Sequence, residues 1–238
     1  VSGRPLSIVF WGTPEFAVRS LGALLSGPDR VSAVVTQPDR PKGRSQKTQK
    51  SPVRVTAESH GIPVLTPDDP ADPAFIERLV RFSPDLYAVV AYGHILRRAV
   101  LGIPPLGTVN VHASLLPRYR GAAPIERAII DGQTTTGVTI ILLDEGMDSG
   151  DILSSREVAV DDDETAGELT ERLAHIGAEL LVETIGRLKE GTITAIAQDH
   201  AKKTFASMLT KEDGRIDWGE TPREIGNRIR GTTPRPGA

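Results

Sequence analysis

The chain has 238 residues and a formal net charge of −3, so no global attraction for nucleic acid is available and any basic contact surface must be local. It contains no cysteine, which excludes disulfides, thiolate metal sites and a cysteine nucleophile. No apolar run reaches the length of a membrane span and the N-terminus lacks a signal-peptide pattern, so a cytoplasmic location is the default.

In chain order, "LSIVFWG" reads as a short buried strand closed by Gly12. "TPEFAVRSLGALLSG" reads as a helix, with Thr13 as N-cap, Pro14 at the first helical position and Gly27 after the end. "VSAVVTQ" is a second strand, followed by the polar loop "PDRPKGRSQKTQK". "SPVRVTAESHG" has a cap, an early proline and a terminal glycine and predicts a helix. "IPVL" is a short strand, "PAFIERLVRF" a helix, and "DLYAVVAYG" a strand covered on both faces. "TVNVHASL" is another strand and "APIERAIIDG" another helix. Such regular alternation predicts an α/β fold with an open, mostly parallel sheet and helices on both faces.

After residue 133 the pattern changes. "TTTGVTIILLDEGMDSGDILSSREVAV" reads as two strands around a turn rich in Asp and Gly. "TAGELTERLAHIGAELLVETIGRLKEG" is a long amphipathic helix, with Leu169, Leu173, Ile176, Leu180 and Ile185 among its apolar positions. Beyond residue 191 the sequence reads as a short strand, "TITAIA", then polar chain, and "RGTTPRPGA" as a linker. The domain reading is residues 1–190 for the main domain and 191–238 for its end and a linker.

In a parallel α/β sheet, ligands bind outside the carboxyl ends of the strands. Gly12-Thr13-Pro14, Tyr92-Gly93-His94 and His112-Ala113-Ser114 should therefore meet on one rim. Asn110 and His112 lie two apart on one strand, so both side chains point to one face. An amide and an imidazole there can stabilise a developing oxyanion, and a carboxylate such as Asp148 can orient the imidazole and move a proton. Spacing alone favours the plainer reading, in which these are satisfied polar residues and a turn-forming Asp. In the polar loop, Arg40, Lys42, Arg44, Lys47, Lys50 and Arg54 concentrate positive charge without an aromatic, which suits phosphate contacts better than base stacking; a solvated surface loop is the alternative. Tyr119, between Arg118 and Arg120, reads equally as a surface aromatic or a partner contact. The dinucleotide fingerprint, the P-loop and the G-x-S-x-G elbow are absent, and the histidines at 60, 94, 112, 175 and 200 lack zinc spacing, so no metal is expected.

The blocks "NVHASLLPRYRGAAPI" and "TGVTIILLDEGMDSGDIL" resemble the folate-dependent formyltransferase signature, and "VFWGTPEFAV", "VVTQPDRPKGR" and "SPVRVTAESHGIPVLTP" resemble the methionyl-tRNA formyltransferase family. The match runs from about Ile8 to Trp218. The resemblance implies a Rossmann-like fold and transfer of a formyl group from 10-formyltetrahydrofolate to the methionine amine of initiator methionyl-tRNA. It implies a catalytic trio of Asn110, His112 and Asp148. It places the folate against Tyr92, Gly93, Ile95 and Leu96, and against Asp144, Glu145, Gly146 and Met147. Ser114, Leu115, Leu116 and Pro117 border the folate site, and Arg118 and Arg120 face an anionic substrate. Arg40, Lys42, Arg44, Lys47 and Lys50 contact tRNA. A monomer is expected. The family carries a further C-terminal β-barrel, which is not expected within this chain. A sugar-nucleotide formyltransferase or a formyltetrahydrofolate hydrolase would share the trio, and only the long basic loop speaks against them.

Overall fold

The structure, a computed structural model, describes residues 4–42 and 47–238. Its elements in chain order are β1 (Ser7–Gly12), α1 (Glu15–Leu25), β2 (Arg30–Val35), β3 (Arg40–Lys42), β4 (Lys47–Gln49), α2 (Pro52–Ser59), β5 (Val64–Leu65), α3 (Pro73–Val80) and β6 (Leu86–Val90). There follow α4 (Arg98–Leu101), β7 (Thr108–His112), β8 (Arg120–Gly121), α5 (Pro124–Ile130), β9 (Thr135–Leu142), β10 (Ile152–Ala159), α6 (Ala166–Glu190), β11 (Phe205–Ala206) and α7 (Pro222–Thr232).

Seven strands form one sheet in the order β10-β9-β7-β6-β1-β2-β5. The five strands from β5 to β7 are parallel, while β9 runs antiparallel to β7 and to β10. The chain first winds from β1 toward β5, then returns to lay β6 on the other side of β1. That reversal opens a crevice at the carboxyl ends of β1, β6 and β7.

Period-two alternation divides the core into two layers. Ile8, Phe10, Leu86, Ala88, Val90, Val109 and Val111 pack with α1 and α6 through Ala17, Leu21, Leu169 and Leu173. Val9, Trp11, Tyr87 and Val89 pack on the opposite face against Phe75, Leu79 and Val100 from α3 and α4. β7 breaks the symmetry. It gives Val109 and Val111 to the first layer, but Thr108, Asn110 and His112 stand on the other face and belong to neither apolar cluster.

Local signals account for most boundaries. Ser51 and Asp72 cap α2 and α3, and α6 begins with a reciprocal Thr165–Glu168 capping box and ends at Gly191 in the left-handed conformation. Four expectations are corrected. Thr13 does not cap α1; Pro14 holds that position, and the Thr13 hydroxyl instead donates to the Tyr92 carbonyl at 3.2 Å, tying β1 to β6. The polar loop contains a short antiparallel ladder between β3 and β4. "TITAIA" contributes only an isolated bridge between Ile196 and Ile152. The stretch read as a linker begins inside α7, whose Thr221–Glu224 capping box starts a helix packed on α5, with Thr232 fully buried.

Asp85 anchors the amino end of the sheet. Its carboxylate accepts from Arg4 and, at 2.7 Å, from the Ser7 amide. The Arg4 guanidinium first, and the Ser7 amide after it, hold the carboxyl below its usual range against the opposing effect of burial. A depressed folded value stabilises the protein above the unfolded pKa of about 3.9, and the stabilisation is lost as pH falls through the folded value. Asp85→Asn should therefore melt at a lower temperature than wild type at neutral pH, and the two melting curves should converge in acid.

Candidate active site

The crevice holds a cavity of about 600 Å³. Pro14 and Phe16 border it after β1, Val89 and the stretch Ala91 to Leu96 at the end of β6, and Asn110 to Ala113 at the end of β7. Most of the remaining wall is apolar, through Ala122, Pro124, Ile125, Leu143, Met147 and Met208.

His112 is 5% exposed. Its Nε2 lies 2.8 Å from the Tyr119 carbonyl, which can only accept, so Nε2 carries a proton. Nδ1 is thereby turned to the Asp148 carboxylate, with Oδ2 at 3.6 Å. The same Oδ2 accepts from the Gly121 amide at 2.8 Å. Asn110 shares the cavity wall and makes no side-chain hydrogen bond to another described residue, leaving its amide free for a ligand. The trio read from the sequence is thus brought to one wall although Asp148 lies 36 positions beyond His112 in the chain.

Backbone conformation concentrates here. Of the described non-glycine residues with positive φ, Ala91 (47°), Tyr119 (59°) and Asp148 (47°) flank the cavity or the wall that carries His112. Tyr119 is held there from several sides: its amide donates to Thr204 Oγ1 at 2.8 Å and its hydroxyl to Asp131 at 2.9 Å. Burial, then the bond to Asp131, pushes the phenol up to about 12, so it stays a donor. The Tyr92 carbonyl accepts from Gln37 as well as Thr13, fixing the loop after β6. In the turn after β9, Asp144 Oδ1 accepts from the Gly146 amide and the Ser149 hydroxyl.

Of the residues expected to meet folate, Tyr92, Gly93, Ile95, Leu96, Asp144, Gly146 and Met147 line the cavity. Glu145 stands outside that wall, as do Ser114, Leu115, Leu116 and Pro117. Ser114 and Leu116 are instead clasped by Thr139, which donates to the Ser114 carbonyl at 2.6 Å and accepts from the Leu116 amide at 3.2 Å. Tyr119 and Arg120 are buried, and Arg120 points away from solvent toward Gln198, so neither presents itself to an outside partner. Arg44 lies outside the described residues, and Arg40, Lys42 and Lys47 are described by their backbone alone. Lys50 is exposed and paired with Glu58 at 2.6 Å.

The sequence reading passed over Glu126, a residue of the cavity wall whose carboxyl is pushed up by burial. An acid in the first turn of a helix is ordinary, so "PIERA" carried no signal of it. Phe16, Thr170 and Met208 were passed over likewise, since apolar residues and a helical threonine read as packing.

A family model described as formyl transferase matches residues 6–185, and a second, described as formyl transferase, C-terminal domain, matches residues 208–238. Fold, cavity and these matches place the chain among the formyl transferases. A relative from Desulfotalea psychrophila, described as a methionyl-tRNA formyltransferase, is 54% identical over 99% of this chain and 73% of its own length. One of the same description from Geobacter metallireducens is 51% identical over 98% of this chain and 75% of its own. The chain belongs to the methionyl-tRNA formyltransferase family. Its fold is also that of the solved N-formyltransferase of Helicobacter canadensis in complex with folinic acid and dTDP-3-aminofucose, with a TM-score of 0.72 at 21% identity, over 95% of this chain and 80% of that one.

Proposed function

We propose that this chain, as a cytoplasmic monomer, moves the formyl group of 10-formyltetrahydrofolate to the methionine amine of initiator methionyl-tRNA, with Asn110, His112 and Asp148 performing the chemistry. The observation that carries the reading is the convergence of these three side chains on one wall of an apolar cavity. The kinship with methionyl-tRNA formyltransferases supports the choice of acceptor.

The donor supplies the formyl carbon. A flat, polar-edged ring suits the slot between the Tyr92–Leu96 stretch and the Asp144–Met147 turn, where backbone groups stand between apolar walls. Ile95 and Met147 are exposed there and available to cover it. An α-amine titrates near about 7.7–8.0 and an adjacent ester lowers this, so a useful fraction of the acceptor is neutral without a strong base. The cavity holds amine and formyl carbon together. Asn110 then donates to the oxygen on which negative charge develops, joined by His112 in its protonated form. Asp148 Oδ2, held by the Gly121 amide, faces His112 Nδ1 and favours its protonated form, and Oδ1 takes the proton that the amine gives up on forming its bond to carbon. Asp148 returns that proton, directly or through water, to the folate nitrogen as its bond to the formyl carbon breaks.

Arg40, Lys42, Arg44, Lys47 and Lys50 hold the acceptor stem, with Arg44 reading its end and the lysines its phosphates. Formylation of charged initiator tRNA and not of an amino-sugar nucleotide is the expected outcome when each is offered with the folate donor; the reverse would replace the acceptor assigned here. In the same assay Arg44→Ala should impair use of charged tRNA without impairing use of the folate. If its role is a phosphate contact, the salt slope should fall by about one unit.

A further inference from the structure

Arg120 is 4% exposed, and its charge meets no carboxylate among the described residues. Its Nη2 donates to Gln198 Oε1 and to His200 Nδ1, both neutral acceptors. Gln198 is equally buried, at 5% exposed. Its Nε2 donates to two backbone carbonyls, those of Asp148 at 2.8 Å and Gly150 at 2.7 Å. An arginine can only donate and a carbonyl can only accept, so the amide has one orientation that satisfies both ends. Gln198 thus grips the Asp148 turn on either side of Ser149 without itself lining the cavity.

This grip bears on the catalytic carboxylate. Asp148 sits at φ 47°, a conformation that persists only where the surroundings over-determine it. Its side chain is fixed by Gly121 and its carbonyl by Gln198. Arg120 and Gly121 are adjacent on β8, whose pairing with β11 sets both. One short strand therefore positions Asp148 twice, directly through the Gly121 amide and indirectly through Arg120 and Gln198. We propose that Gln198, oriented by Arg120, is a positioning residue for the Asp148 carboxylate. It holds the left-handed turn that aims Oδ2 at His112. This rests on the role given to Asp148 above.

The test compares Gln198→Ala, Gln198→Glu and Asp148→Asn with wild type in the full chain. Gln198→Glu keeps the volume and strengthens the contact with Arg120, but turns oxygen toward both carbonyls. A residue that only fills space would tolerate it; a positioning residue would not. Both Gln198 variants should lose about 10- to 100-fold in kcat, the cost of a catalytic group displaced by about 1 Å, with KM for donor and acceptor little changed. The His112 ring resonances of both should move toward those of Asp148→Asn. If Gln198→Ala does not fold, Gln198→Glu carries the comparison alone. Activity of Gln198→Glu within about twofold of wild type, or His112 resonances that stay in place, overturns the proposal. Asp148→Asn separates the two readings: if it is inactive while the Gln198 variants are normal, only the positioning role fails, whereas an active Asp148→Asn removes the catalytic trio and this proposal with it.

Discussion

Alanine in place of His112 is expected to lower turnover by on the order of 100-fold or more at saturating folate donor, with the fold retained. The imidazole faces Asp148 through Nδ1 and partners the Tyr119 carbonyl through Nε2. Its removal leaves that buried carbonyl without a donor, at a cost of about 1–3 kcal/mol, so folding must be verified before the loss is ascribed to chemistry. Asn110→Ala should lose a similar factor with no such structural cost, because its amide bonds to no other described side chain or backbone group. Asp148→Ala should also lose most transfer, since it removes both the proposed proton carrier and the carboxylate facing His112. Near-normal turnover in His112→Ala, measured in steady state alongside circular dichroism, would sink the assignment.

Gly150→Ala is expected to be as damaging to transfer as Asp148→Ala, although residue 150 touches no reacting group. A Cβ at Gly150 would lie 1.8 Å from the Leu142 carbonyl oxygen, closer than any relaxed contact. The main chain would have to move. It cannot move alone, because Gln198 holds the Gly150 and Asp148 carbonyls together and the Leu142 amide donates to Asp151. The displacement passes to the Asp148 turn. Activity of Gly150→Ala, read with its unfolding transition, should show a folded protein with little turnover. Wild-type turnover would mean that the turn relaxes without shifting the carboxylate.

Much of the fold was legible because its signals are local. The apolar runs of β1 and β6 and the cap at Ser51 each depend on neighbours within a turn or a strand. Asn110 and His112 were legible as a pair because strand periodicity places them on one face; Asp148 could be named beside them as a carboxylate, and the resemblance of the surrounding blocks turned a plain reading of the three into a catalytic expectation. α7 was missed although Thr221, Pro222 and Glu224 spell a helix start, because its sequence is mostly polar and supplies only a thin apolar stripe. Gln198 and Arg120 were not legible at all. Their meaning lies in bonds spanning 48, 50 and 78 positions, and a glutamine in a polar stretch carries no periodicity to betray that it is buried.

The left-handed residues around the cavity bear on how this chain can change. A non-glycine in that conformation costs about 1–3 kcal/mol, against a total stability of about 5–15 kcal/mol for a domain. Ala91, Tyr119 and Asp148 together thus draw on a sizeable part of what holds the molecule folded. Glycine would relieve that conformation, but at Tyr119 it would remove a buried ring bonded to Asp131 and at Asp148 the carboxylate that faces His112, so a lineage under heat gains little there. Adaptation of growth temperature is therefore pushed outward, to helix caps, surface charges and the packing of α5 against α7, while the rim of the cavity stays tense.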